Sequence, residues 1–171
     1  LLEGHKVKGW TIEQEVYESI TMEGMNHKYL PDHSLDGLEA TMHVEEALDG
    51  SEIIVLAVPS SVILNVVEDI IPHLRPGHVL LDLAKGLAPG KRLISEAIHQ
   101  MLEENNMHNP LAVLTGPTIA PEAAGGVMTT ALVASEDVSV AENLASTLTT
   151  PTFILHPASD PVGAELWGAF K

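Results

Sequence analysis

Lys85 closes a mostly apolar run, Val79-Leu80-Leu81-Asp82-Leu83-Ala84, and Gly86 follows it directly. Pro76-Gly77 before the run and the glycine after it frame a short buried strand. Gly86 lets the chain turn sharply where the strand stops. In open parallel sheets ligands bind outside the carboxyl ends of the strands, so an ammonium at such an edge is a handle for an anionic substrate. Taken by itself, the octapeptide reads more readily as a solvated lysine closing a strand. Its neighbours in the pattern change that balance.

Two further strand ends have the same character, Val58-Pro59-Ser60-Ser61 and Thr115-Gly116-Pro117-Thr118. In each, apolar residues run into small, turn-forming ones that let a ligand approach the backbone. Lys171, at the end of the last helix, is a second cation for the same place. Two ammonium groups at one site disfavour each other's charge, and a lysine so held can serve as a proton-transfer base. Asp82 is a further partner for Lys85, although strand alternation puts the two on opposite faces. Other chemistries are weaker. The nine histidines include no HxH or HxxxH pair, so no metal site is expected. No GxSxG occurs, and Ser60 and Ser61 read as helix caps. Glu122 reads as a carboxylate favoured by the first turn of a helix, and Trp10 and Trp167 as packing residues.

The elements that must carry these groups alternate along the chain. Strands are expected at residues 6–10, 39–41, 53–58, 79–83, 111–114, 129–134 and 153–155. Helices are expected at 13–20, 43–48, 62–74, 92–104 and 138–148, with a last one begun by Asp160 as N-cap and Pro161 at its first position. Residues 26–38 read as irregular. Ile53-Ile54-Val55-Leu56-Ala57-Val58 reads as a central strand buried on both faces. Such alternation is the signature of βαβ units, so the fold class is α/β, a doubly wound, mostly parallel sheet with helices on both faces. No repeat, linker or second domain is visible.

Composition limits the partners. With 171 residues, 45% of them hydrophobic, the chain can bury a sizeable core. The 24 acidic residues against 8 basic ones give a formal charge of −16, which argues against nucleic acid and anionic membrane surfaces. Cysteine is absent, which excludes disulfides and thiolate metal sites. No apolar run is long enough for a membrane span, and no signal peptide is visible, so a cytoplasmic protein is expected. The chain opens without Met, on Leu1-Leu2-Glu3-Gly4 as the capped tail of a helix, and closes on Gly168-Ala169-Phe170-Lys171 as a helix cut short. It reads as a fragment.

No G-x-G-x-x-G is present, and residues 4–10 look like the segment that follows the unit carrying one. These pieces, in this order, resemble the amino-terminal domain of NAD(P)-dependent glycerol-3-phosphate dehydrogenase. The resemblance rests on Gly4-His5-Lys6-Val7 with Trp10, Asn26-His27-Lys28-Tyr29-Leu30-Pro31, and Ala57-Val58-Pro59-Ser60. It rests equally on Lys85-Gly86, Gly116-Pro117-Thr118-Ile119-Ala120-Pro121-Glu122, and Gly163-Ala164-Glu165-Leu166-Trp167-Gly168-Ala169-Phe170-Lys171. It implies one NAD(P)-binding domain over residues 1–171, Rossmann-like, incomplete at both ends and truncated at its first βα unit. It further implies a hydride transfer between a nicotinamide cofactor and glycerol 3-phosphate or dihydroxyacetone phosphate, in glycerol and phospholipid metabolism. Val58, Pro59, Lys85 and Ala120 would contact the cofactor; Lys85, Gly116, Thr118 and Lys171 would contact the substrate. Lys171 would be the proton acceptor, with Lys85 the second catalytic lysine. The full-length enzyme would be a homodimer.

The chain departs from the family in lacking the first strand, the glycine-rich loop and the helical carboxyl-terminal domain, so the fragment alone is expected to be inactive. Near Ile12-Glu13, where NADP-using relatives tend to carry a basic group, Glu13 would repel a 2′-phosphate. NAD is the expected cofactor, with NADP the alternative. The competing readings are another dehydrogenase of the β-hydroxyacid type and a non-catalytic nucleotide-binding fragment.

Overall fold

The computed structural model describes residues 4–169, so the expected helix tail at residues 1–3 and the catalytic position Lys171 lie outside the described residues. The order is β1 (Lys8–Trp10), α1 (Gln14–Glu23), β2 (Met25–Asn26), β3 (Leu30–Ser34), β4 (Glu39–Thr41), α2 (Val44–Leu48), β5 (Ile53–Leu56) and α3 (Ile63–Ile70). Then come β6 (Val79–Asp82), α4 (Ile94–Glu104), β7 (Leu111–Thr115), α5 (Ala120–Ala124), β8 (Thr129–Ala134), α6 (Val138–Leu148), β9 (Phe153–Ala158) and α7 (Pro161–Ala169). Five strands form the main sheet in the order β5-β6-β7-β8-β9; β1 and β4 form a separate parallel pair.

β5, β6 and β7 are parallel neighbours, each linked to the next through a helix. Their carboxyl ends therefore share one edge, as the sequence pattern requires. β8 turns the other way, antiparallel to β7, and β9 runs parallel to β8. A parallel partner needs a long crossover back along the sheet. Between β7 and β8 the only helix is the five-residue α5, which packs on β3 instead of returning along the sheet face. The sheet is thus mostly, not wholly, parallel.

Two cores cover its faces. Leu80 packs with Ile63 and Val67 of α3 and with Ile94 and Ile98 of α4. Leu81, the next residue of β6, packs with Val133, Leu144 and Leu155 on the opposite face. Successive residues of one strand feeding two cores is what the apolar run of β6 demands. β5 does not follow this pattern. Ile54 and Leu56 are buried, but Val55 between them is exposed, so the strand is covered on one face and not on both.

Other departures have local causes. The supposedly irregular stretch contains the antiparallel hairpin β2–β3, with Met25 opposite Ser34. Pro31 sits in it because an edge strand has no ladder to break there. Gly24 ends α1 in the left-handed region (φ +63°) and donates its N–H to Ile20 O and Ser19 O. α3 stops at Ile70 and passes into a 3-10 turn over Ile71–His73, because Pro72 cannot continue the ladder. It begins at Ile63 behind Val62, with no side-chain cap, so Ser60 and Ser61 are not the caps their types suggested. The caps at Asp137 (Ser139 N–H, 2.9 Å) and Asp160 (Gly163 N–H, 2.8 Å) do form.

Candidate active site

The turns after β5, β6 and β7 meet at the carboxyl edge of the parallel strands. Asp82, the last residue of β6, accepts the N–H of Ala84 at 2.8 Å and so fixes how the chain leaves the strand. Three residues on from Asp82, Lys85 is exposed and its Nζ lies 3.4 Å from Thr118 Oγ1 and 3.5 Å from Thr118 O, in the turn after β7. Gly86 has φ +130°, and a Cβ there would stand 2.9 Å from Ser60 Oγ. The glycine is thus required twice, by its backbone angle and by the neighbouring turn. Ser60, discarded as a cap, is instead the wall of that contact.

Gly116 is held as tightly. A Cβ on it would come within 2.9 Å of the Ala131 backbone and of Thr130 O, because the antiparallel β8 passes directly behind it. Around these residues lies an open cleft of about 330 Å³, lined by Lys85, Gly116, Thr130, His156, Trp167 and Gly168 among others. α7 closes one side, its Gly168 against the Thr115 side chain of β7. Lys85, Gly116 and Thr118 are therefore brought together as expected. Val58 is half-buried and Pro59 exposed in the turn after β5, and Ala120 is exposed at the start of α5; none of the three lines the cleft. Larger hollows lie elsewhere. One of about 570 Å³ lies at the amino ends of β5 and β6, the end opposite to where open α/β sheets bind ligands. Another, of about 460 Å³, sets Glu39, Glu45, Glu46 and Asp49 against the single cation Lys8, whose amine donates to Glu46 O and Asp49 O, so its balance of charge disfavours an anion.

Three residues of the cleft region escape a reading of the sequence. Trp167 is 81% exposed on α7 and faces the cleft, so it is not the packing residue it was expected to be. Trp10 does pack, with its Nε1–H donated to Met42 O at 3.3 Å. His156 enters the cleft because β9 extends past Leu155 to Ala158. Glu165 of α7 is 3% exposed and accepts from the N–H groups of Ile94 and Ser95 and from the Ser95 hydroxyl. It caps α4 from a distant part of the sequence, a pairing that no local pattern encodes.

Asp82 does not pair with Lys85. It is fully buried, and its Oδ2 has no hydrogen-bond partner among the described residues. Burial pushes its acid up to about 7, the Ala84 N–H opposes that shift, and the charge of Glu165 adds to it. Beyond β1, Glu13 is hydrogen-bonded by Lys28 and by the Tyr29 hydroxyl (2.7 Å), which hold its carboxyl below the usual range. A basic group does therefore reach this point, from residues away in the sequence, but Lys28 is also paired with Glu15 at 2.6 Å. Among the described residues no three His, Asp or Glu side chains are grouped to hold a metal ion, and no helix is long and apolar enough to cross a membrane.

The family model for the NAD-dependent glycerol-3-phosphate dehydrogenase N-terminus matches residues 2–141. Glycerol-3-phosphate dehydrogenase [NAD(P)+] of Syntrophotalea carbinolica is 35% identical over 98% of this chain and 51% of its own length. The same-named protein of an Exiguobacterium species is 37% identical over 98% of the chain and 50% of its own length. The crystal structure of glycerol-3-phosphate dehydrogenase from Coxiella burnetii superposes with a TM-score of 0.87 at 28% identity, over 98% of this chain and 50% of that one. UDP-D-ManNAc dehydrogenase of Pyrococcus horikoshii, at 18% identity and a TM-score of 0.75, shares the fold. The chain spans about half the length of the curated relatives it matches. With the order of strands, the cleft at their carboxyl edge and these matches agreeing, the chain belongs to the family of NAD-dependent glycerol-3-phosphate dehydrogenase amino-terminal domains.

Proposed function

We propose that the chain is the dinucleotide-binding part of an enzyme that interconverts glycerol 3-phosphate and dihydroxyacetone phosphate. In this reading residues 1–171 belong to one domain. The observation that carries the reading is the meeting of Lys85 and Gly116 at one cleft, with Thr118 against the Lys85 amine, in a chain whose net charge would otherwise repel a phosphorylated substrate. A dinucleotide is supported by the turns after β5 and β6, where the Ser60 side chain meets Gly86 and leaves room only for a glycine, with Val58, Pro59 and, at the start of α5, Ala120 as its expected contacts. The nicotinamide ring, when bound, takes up or gives the hydride at the substrate's C2. The chain's own residues do the rest. Lys85 holds the oxygen-rich substrate by charge, Gly116 and Thr118 orient it, and Lys171 takes the proton of the C2 hydroxyl as that carbon is oxidised. Glu13, with Lys28 neutralised by two carboxylates, favours NAD over NADP. A homodimer working in the cytoplasm completes the proposal, and sedimentation and fractionation of the full-length enzyme test that part.

The test is the loss of NADH absorbance with dihydroxyacetone phosphate, using the full-length enzyme and its Lys171→Ala form. Turnover that falls by about 10²–10⁴-fold in the variant supports both substrate and base. Absence of turnover with NADH and with NADPH overturns the assignment.

A further inference from the structure

We propose that Asp82 is a positioning residue for the Lys85 ammonium, acting from beneath the sheet edge through the backbone of Ala84. The inference rests on the role given to Lys85 above. Four observations carry it. Asp82 occupies the end of a central strand, flanked in the ladder by Leu56 and Val113. It shares the face of Leu80, where α3 and α4 build an apolar core, a place where a leucine would pack without polar cost. One of its oxygens, Oδ1, ties down the N–H of Ala84, the residue before Lys85. The other, Oδ2, is buried and has no partner among the described residues.

A carboxyl left half-bonded in a core is costly, and cores do not use one for packing alone. The charged group facing it is Glu165 of α7, whose oxygens already serve the N-terminus of α4 and the Ser95 hydroxyl. The ladder neighbours on β5 and β7 are uncharged, and the Lys85 amine is turned toward Thr118. In its neutral form Asp82 holds Ala84 with little conflict. Ionised, it meets the charge of Glu165 in a buried setting, and the relief available is a shift of the β6 end or of α7, which both border the cleft. Burial brings that change of state to near neutral pH, with a push from Glu165. The position of Lys85 is then linked to the protonation of a residue it never touches.

The test uses the full-length enzyme with Asp82→Asn, which keeps an acceptor for Ala84 but cannot ionise, and Asp82→Leu, which keeps the volume and loses the acceptor. Two readouts are taken across about two pH units on either side of neutrality. One is the rate of acylation of Lys85, read by mass spectrometry, which needs no turnover. The other is kcat and KM for dihydroxyacetone phosphate. The expected result is an inflection near neutrality in wild-type Lys85 labelling that Asp82→Asn removes. With it goes a rise of about tenfold in KM for Asp82→Leu, the effect of an unmet, partly buried donor, that Asp82→Asn does not share. Superimposable labelling curves for wild type and Asp82→Asn overturn the proposal, and so does a KM for Asp82→Leu equal to that of Asp82→Asn. Should Asp82→Leu fail to fold, the labelling comparison decides alone. Should dihydroxyacetone phosphate not turn over, labelling still judges Asp82 while the substrate assignment fails separately.

Discussion

Lys85 sits 3.4 Å from Thr118 Oγ1 with no carboxylate partner among the described residues, so its charge is free for an incoming anion. Lys85→Met keeps the stem and removes that charge. It is expected to raise KM for the phosphorylated substrate by about 10–100-fold, the worth of one charge-assisted hydrogen bond, with little change in thermal midpoint. Gly116→Ala acts differently. Its methyl would meet the Ala131 backbone and Thr130 O at 2.9 Å, so β8 must move and about 1–3 kcal/mol of stability is lost with the shape of the cleft, as urea denaturation would show. At Glu13 the expected effect is on choice of cofactor. Glu13→Arg should raise the ratio of kcat/KM for NADPH over NADH, and an unchanged ratio would remove Glu13 from that role. The sequence made Lys85, Gly116 and Thr118 legible because each follows an apolar run that must end at one sheet edge. Trp167 and His156 were not legible, since their place depends on how far β9 and α7 extend, and apolar spacing says nothing about that.

At the scale of elements, α7 is tied to α4 by one carboxylate. Glu165→Ala would leave the donors at the start of α4 unmet in a buried place and cost about 3 kcal/mol, whereas Glu165→Gln, which still accepts, should cost about 1 kcal/mol. Chemical denaturation separates the two, and equal losses would mean that Glu165 contributes only volume. Element types were readable wherever one period dominated, as in β6, α4 and α6. The hairpin β2–β3 was hidden because Asn26 and Pro31 are turn formers by type, although an edge pairing accepts both. The reversal at β8 was hidden for another reason. Parallel and antiparallel strands have the same local pattern, and only the shortness of α5 distinguishes them here.

Across the whole molecule, the buried acid of Asp82 adds a distinctive pH dependence to stability. Its acid is raised to about 7 in the fold from an ordinary value near 3.8, so the folded state holds a proton that the unfolded chain has released. Stability from this group is therefore full below about pH 4 and declines as pH rises to about 7, at up to ~1.4 kcal/mol per pH unit. Asp137 and Glu13, both held low, act with the opposite sign, so the clean measurement is the difference between wild type and Asp82→Asn. That difference should shrink from pH 4 to pH 7 and then level off; a constant difference would show that Asp82 ionises normally. The cap on α4 also has a consequence for synthesis. Ile94 N–H and the Glu165 carboxylate are 71 positions apart, so a ribosome adding about 5–20 residues per second delivers the helix several seconds before the group that completes it. Throughout that interval α4 must stand on the apolar contacts of Ile94, Ala97, Ile98 and Leu102 without its cap, and the nascent chain is most open to proteases and chaperones until α7 emerges to seal it.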